Sequence, residues 1–225
     1  MEKPRLSFSA ILLAGGDSKR MGKNKAFLKL GQDRLIDIAF RKLDNIFSET
    51  IIAADHWQKL DYLPAKFTAD LIRVGEKSSL RGIHAGLTLS TNFSSFAIAC
   101  DMPFLSPSLI RYMASFATDF DVVVPRLGEY YQPLFAFYSK STLKFITKQL
   151  KEEKMKLTHF YPHVKVKEIK EEAIKRFDPQ LLSFYNVNTK ENYDMAQKIY
   201  NESRVVLNDT DNLPKEGATY AAKTD

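Results

Sequence analysis

"ILLAGGDSKRMGKNKAFL", Ile11 to Leu28, is the stretch on which the reading of the fold turns. An apolar run stops at Gly15 and Gly16, and a short loop follows that carries Lys19, Arg20, Lys23 and Lys25, with Lys29 just beyond. A continuous apolar run from Ser7 to Ala14, ended by glycines, reads as a buried strand of a parallel sheet. The glycines let the backbone turn tightly and present amide N–H groups without a Cβ in the way. The clustered cations repel one another, so the loop suits an anion. Arg20 offers a phosphate a fork of donors, and a lysine offers a point charge. Taken alone, the stretch is equally compatible with a phosphate loop and with a solvated basic turn.

Outward from this loop, Asp33 to Phe47 places Leu35, Ile38, Ala39, Leu43 and Ile46 at helical spacing. "ETIIAAD" reads as a strand ending at Asp55, and "AKFTAD" as another ending at Asp70. Ile83 to Leu89 reads as a helix and "SSFAIACD" as a strand ending at Asp101. Ser106 to Phe116 opens with a helix start signal, Pro107 falling in the first turn. "DFDVVVP", "YYQPLFAFYS" and "KVKEI" read as further strands, Thr142 to Leu150 as a helix, and "KQLKEEKMK" as a solvated helix face. Thr189 begins a last helix, with Asn188 or Thr189 as its cap. Strands alternating with helices predict an α/β fold, a Rossmann-like three-layer α/β/α sandwich around a mostly parallel sheet. The expected organisation is a single domain over 1–204 and a polar, flexible tail over 205–225.

Composition sets the outer bounds. The 225 residues, 44% apolar, suffice for one substantial core. The 33 Lys and Arg against 27 Asp and Glu, a net charge of +6, suit an anionic ligand. Cys100 is the single cysteine, which excludes an internal disulfide and fits a reducing compartment. The apolar start, Leu6 to Ala14, is too short to span a bilayer. A soluble, cytoplasmic protein with no membrane association is expected. No RNA-binding aromatic signature accompanies the basic charge, so nucleic acid is not an expected partner. His159 and His163 are four apart, but Pro162 breaks the helix that would aim both at one metal.

In an open parallel sheet, ligands bind outside the carboxyl ends of the strands, where the first loop lies. Two familiar phosphate loops are excluded. A Walker A loop needs glycine where Asp17 stands and Ser or Thr where Asn24 stands, and Gly15-Gly16 lacks the spacing of the dinucleotide fingerprint. "LAGGDSKRMGKNKA" instead resembles the L-A-[GA]-G-x-S-x-R-M-G-x-x-K signature of nucleotidyltransferases with the nucleotide-diphospho-sugar transferase fold. Its LAGG form resembles the molybdenum cofactor guanylyltransferases. The resemblance implies that Leu13, Ala14, Gly15 and Gly16 line a bound nucleoside triphosphate, that Lys25 sits over its phosphates, and that Arg20 contacts them.

Asp101 lies where its strand runs out, with Pro103 and Pro107 following. A carboxylate on the same edge as a cationic loop is placed to hold Mg²⁺, which prefers one or two carboxylates plus phosphate oxygens. A helix-capping role is the alternative. "CDMPF" resembles the family's D-x-P-F motif, which implies that Asp101 binds the metal and the nucleotide. Asp70 resembles a family aspartate near the guanosine moiety. Cys100 reads as a small buried apolar residue.

"SSLRGIHAGL" resembles the family's G-P-L-A-G-I motif, with Ser78, Ser79 and Arg81 as departures. Related cytidylyltransferases carry Ser-Leu at this point. The guanine assignment therefore leans on Gly15, where a side chain would narrow the space for a purine. His84 is expected on the helix surface. "FYNVNTKENY" resembles the family's F-x-N-x-N-T-P-E-D segment, which implies an acceptor-facing role for Asn186 and Asn188. Tyr131 and Gln132 are candidates to face substrate. The resemblance implies transfer of GMP from GTP to Mo-molybdopterin with Mg²⁺, and other molybdenum cofactor biosynthesis proteins as possible partners. The rivals are a cytidylyltransferase acting on molybdopterin, the same chemistry on a sugar or alditol phosphate, and a binding module without catalysis.

Overall fold

The opening apolar run forms strand β1 (Leu6–Leu13), with Ala10 to Leu13 buried. The computed structural model describes residues 4–15 and 25–209. Gly16, Lys19, Arg20 and Lys23 lie outside the described residues, as does everything beyond 209. The chain continues at Lys25 into a two-stranded hairpin, β2 (Lys29–Leu30) and β3 (Asp33–Arg34), which turns at Gly31 with φ 64°. Helix α1 (Leu35–Ile46) follows, and all five apolar positions expected on its inner face are buried. It starts later than the periodicity indicated because Asp33 and Arg34 are spent on the hairpin.

The remaining elements are β4 (Phe47–Ala53), β5 (Lys66–Thr68), α2 (Ser79–Leu89), β6 (Ser94–Ala99), α3 (Pro107–Ala114), β7 (Val122–Leu127), β8 (Tyr130–Tyr131) and β9 (Phe135–Ser139). Then come α4 (Leu143–Lys151), β10 (Val166–Lys170), α5 (Glu171–Lys175) and α6 (Lys190–Asp209). The main sheet has eight strands in the order β5-β4-β1-β6-β9-β7-β10, with β8 paired to β7. The pairs β5/β4, β4/β1, β1/β6 and β7/β10 are parallel. Strand β9 runs antiparallel between β6 and β7. "YYQPLFAFYS" therefore yields two short strands rather than one. Pro133 cannot donate to a ladder, and the chain makes a turn where Phe135 N–H bonds the Gln132 carbonyl at 3.0 Å before resuming in the same direction beside β7.

Alternation along β1 divides the core. Ala10 and Leu12 face α1 and α3, whereas Ile11 and Leu13 face α2 and α4. On the second face, α2 approaches β1 closely because it presents glycines four residues apart. A Cβ on Gly82 would fall 2.8 Å from Leu13 Cδ2, and one on Gly86 would fall 2.5 Å from Ile11 Cγ2. The helix therefore begins at Ser79, earlier than expected from propensity, which counts these glycines as unfavourable.

Helix α3 starts as expected, Ser106 Oγ accepting from Leu109 N–H with Pro107 in the first turn. Thr189 caps α6, its hydroxyl accepting from Asn192 N–H at 3.2 Å, which leaves the Asn188 side chain for other use. One expectation is corrected here: the "KQLKEEKMK" helix face ends at Lys151, and Glu153 takes a positive φ of 56°. Helix α6 runs to Asp209. Among the described residues, no helix is long and apolar enough to cross a membrane.

Candidate active site

The register places four strand ends level. Leu13 pairs with Ala53 of β4 and with Ala99 of β6, and Ala53 in turn pairs with Thr68 of β5. The backbone continues the pairing a step further, with Ala14 N–H to Ala53 O at 3.0 Å, Cys100 N–H to Leu13 O at 3.1 Å and Ala54 N–H to Thr68 O at 2.9 Å. Gly15, Asp55, Asp70 and Asp101 therefore emerge on one edge of the sheet. This is the edge at which open α/β sheets bind ligands.

Lys25 meets Asp101 here. Its Nζ lies 3.7 Å from Asp101 Oδ2, both side chains being largely buried. The same ammonium donates to Asn188 Oδ1 at 2.5 Å. The Asp101 carbonyl accepts from Val187 N–H at 2.9 Å, so the segment before α6 is tied to the end of β6. Burial pushes the Asp101 carboxyl above its ordinary range, against the pull of Lys25. Among the described residues, its Oδ1 is buried without a hydrogen-bond partner. An orphaned carboxylate oxygen at this position is suited to a hard cation, which prefers oxygen ligands. Cys100 is buried and burial pushes its thiol up to about 12, so it stays a protonated apolar residue.

A pair of carboxylates, Asp55 and Asp70, sits where β4 and β5 end. Asp55 forms an ion pair with Lys77 at 2.6 Å, and this bond holds its carboxyl below the usual range. Asp70 is shifted the other way, by burial and by the Asp55 charge, with Arg81 NH1 3.9 Å away. Arg81 is buried and donates to the carbonyls of Val74 and Gly75, which fixes the loop leading into α2. The residue that departs from the expected alanine is thus an anchor for the loop leading into α2. Asp55, Lys77 and Arg81 were not foreseen as site residues. The available signal for Asp55 was its place at a strand end, the same pattern that marked Asp70 and Asp101.

A family model described as the MobA-like NTP transferase domain matches residues 10–164. The chain belongs to this family. A relative from Natranaerobius thermophilus, named probable molybdenum cofactor guanylyltransferase, is 38% identical over 84% of this chain and 95% of its own. One from Desulfosudis oleivorans, named molybdenum cofactor guanylyltransferase, is 36% identical over 88% and 98%. The solved structure of molybdopterin-guanine dinucleotide biosynthesis protein A from Archaeoglobus fulgidus superposes with a TM-score of 0.77. It is 24% identical and covers 87% of this chain and 100% of that one. The fold of this MobA-like chain is the nucleotide-diphospho-sugar transferase type, and the protein is a nucleotidyltransferase.

Other expectations fare differently. His84 is buried on α2, not on the surface, because α4 covers that face; its Nε2 lies 2.9 Å from Thr147 Oγ1 and burial lowers its pKa. The Tyr131 hydroxyl donates to Glu168 and its ring lies under Arg126, so it is engaged with β10 and β7. Asn186 Nδ2 turns back to the Phe184 carbonyl at 3.1 Å, whereas Asn188 reaches Lys25. At Gly15, a Cβ would meet Ala53 O at 3.8 Å and Lys77 Cε at 3.9 Å, both ordinary contacts. The protein itself therefore admits alanine there, and any selection for glycine acts through the ligand.

Proposed function

We propose that this enzyme transfers the GMP unit of GTP to the terminal phosphate of molybdopterin carrying molybdenum, releasing pyrophosphate. The observation that carries the reading is the meeting of Lys25 with Asp101 at the level ends of β1 and β6. The names of relatives at up to 38% identity supply the substrates. In this reading Leu13, Ala14, Gly15 and Gly16 hold the nucleotide through backbone groups, Asp70 faces the base, and Asn186 and Asn188 face the acceptor. The same reading takes 1–204 as the catalytic domain and 205–225 as an extension, in a cytoplasmic setting where other molybdenum cofactor proteins deliver the acceptor.

An acceptor phosphate oxygen attacks the α-phosphorus; the new P–O bond forms as the bond to the β-phosphate oxygen breaks, and the electron pair leaves with pyrophosphate. Both reactants are anionic, so the chain's task is to position them and offset charge. Lys25 and Arg20 would face charge building on the leaving group. The nucleophile is already ionised at neutral pH, so no side chain need remove a proton. Asp101, with its orphaned Oδ1, would hold Mg²⁺, which when bound supplies positive charge to the phosphate oxygens.

The test is thermal unfolding with GTP, CTP, ATP and UTP, each with Mg²⁺, followed by pyrophosphate release with the preferred nucleotide and molybdopterin. GTP at a hundred times its Kd is expected to add about 2.7 kcal/mol of stability, and the others less. Preference for CTP would replace the guanylyl reading with the cytidylyl one.

A further inference from the structure

The charged group at the ends of β4 and β5 has a geometry of its own. Lys77 returns to this edge from the segment between β5 and α2. Its Nζ is 2.6 Å from Asp55 Oδ2, and its Cε would lie 3.9 Å from a Cβ on Gly15. A lysine usually samples many rotamers. Here the stem lies against the start of the first loop, and the head is held by Asp55, itself fixed by the backbone N–H of Asp70.

Asp70 differs. Among the described residues its carboxylate makes no side-chain hydrogen bond, and Arg81 stands off at 3.9 Å while donating to Val74 and Gly75. The edge therefore presents a restrained, solvent-facing donor, Lys77, beside a largely buried acceptor, Asp70, whose Oδ2 also faces Arg81.

The four common bases answer this pattern differently. Guanine offers an acceptor, O6, beside two adjacent donors, N1–H and the 2-amino group. Adenine turns an amino donor and a ring lone pair to the same positions, which sets donor against ammonium and lone pair against carboxylate. Cytosine has one amino donor and uracil one ring N–H, so neither fills both carboxylate oxygens. Buried polar groups left unpaired by the wrong base are what make such discrimination steep.

We propose that Lys77 is a specificity-determining residue of this nucleotidyltransferase, its Nζ donating to O6 of a 6-oxopurine while the Asp70 carboxylate accepts from the ring N–H. The proposal rests on the reading above that the edge around Gly15 and Asp70 holds the nucleotide base.

The experiment is equilibrium binding of GTP, ITP, ATP and CTP, each with Mg²⁺, to the wild type, Lys77→Met and Lys77→Arg. ITP keeps O6 and lacks the 2-amino group, which separates the Lys77 contact from the second Asp70 contact. Lys77→Met should lose about 10- to 100-fold in affinity for GTP and equally for ITP, as expected for a charge-assisted hydrogen bond. Binding of ATP and CTP should change little, and Lys77→Arg should retain part of the preference. Asp55→Asn, which frees the lysine without removing it, should lose less on the same two nucleotides. Equal weakening of all four nucleotides by Lys77→Met would make Lys77 a phosphate contact and overturn the proposal. An unchanged GTP-to-ATP ratio would overturn it as well. A wild type that prefers CTP would instead overturn the guanylyl reading, and this inference with it.

Discussion

Asp101→Asn is expected to lower turnover by about 10²- to 10³-fold, the usual cost of removing one electrostatic contact made in the transition state. The amide keeps the shape and the neighbours of the carboxylate but loses the charge that Lys25 faces at 3.7 Å. Its Mg²⁺ titration should flatten. The folded protein should not suffer. Asp101 is largely buried and burial raises its carboxyl, so the ionised group opposes folding at neutral pH. A neutral isostere removes that cost, and the melting temperature should stay level or rise. Sites shaped for chemistry commonly give up stability in this way. Full turnover with an unchanged Mg²⁺ titration would remove Asp101 from the mechanism; a lower melting temperature would make its role structural.

Glu49→Gln is expected to be the costly change for stability, far from the site edge. Glu49 lies near the start of β4, its side chain 9% exposed, and accepts from Ser9 Oγ, from Thr91 N–H and Oγ1 at 3.0 Å, and from Lys66 Nζ at 2.5 Å. These bonds tie β1, β4, β5 and the turn after α2 together. Burial opposes the ionised form, yet the bonds from Lys66, Ser9 and Thr91 prevail and hold the carboxyl at about 2. The folded pKa lies below the unfolded 4.5, so the stabilisation is present above pH 4.5 and is lost as pH falls toward 2. Glu49→Gln should cost about 2–3 kcal/mol, since charge-assisted bonds are lost and donors are left unpaired. For a chain of this size that lowers the melting temperature by roughly 5–10 °C at neutral pH. The gap between variant and wild type should narrow in acid. A gap independent of pH would mean that the lost stability is packing and not charge.

Much of the active edge was legible before any coordinates. The apolar run to Ala14, the glycines, and aspartates closing three strands are local patterns, and each was read from a few consecutive residues. Strand periodicity and chain punctuation report local geometry directly. The antiparallel course of β9 was not legible, because "YYQPLFAFYS" looks alike in either direction. Nor was the burial of His84, whose environment is decided by a helix more than fifty residues further on, with Thr147 63 positions away.

By itself, the sequence determined the α/β class, the basic loop after β1 and the acidic residues at the strand ends, because these follow from side-chain period and turn chemistry within short windows. Only the tertiary structure decided which of them meet. Lys25 and Asn188 are 163 positions apart, and Glu49 binds Thr91 from 42 away. Such pairs are joined by strand order and register, which are fixed when apolar faces are buried across the whole sheet. Ion-pair partners are then selected by proximity in space, a quantity that spacing along the chain does not contain.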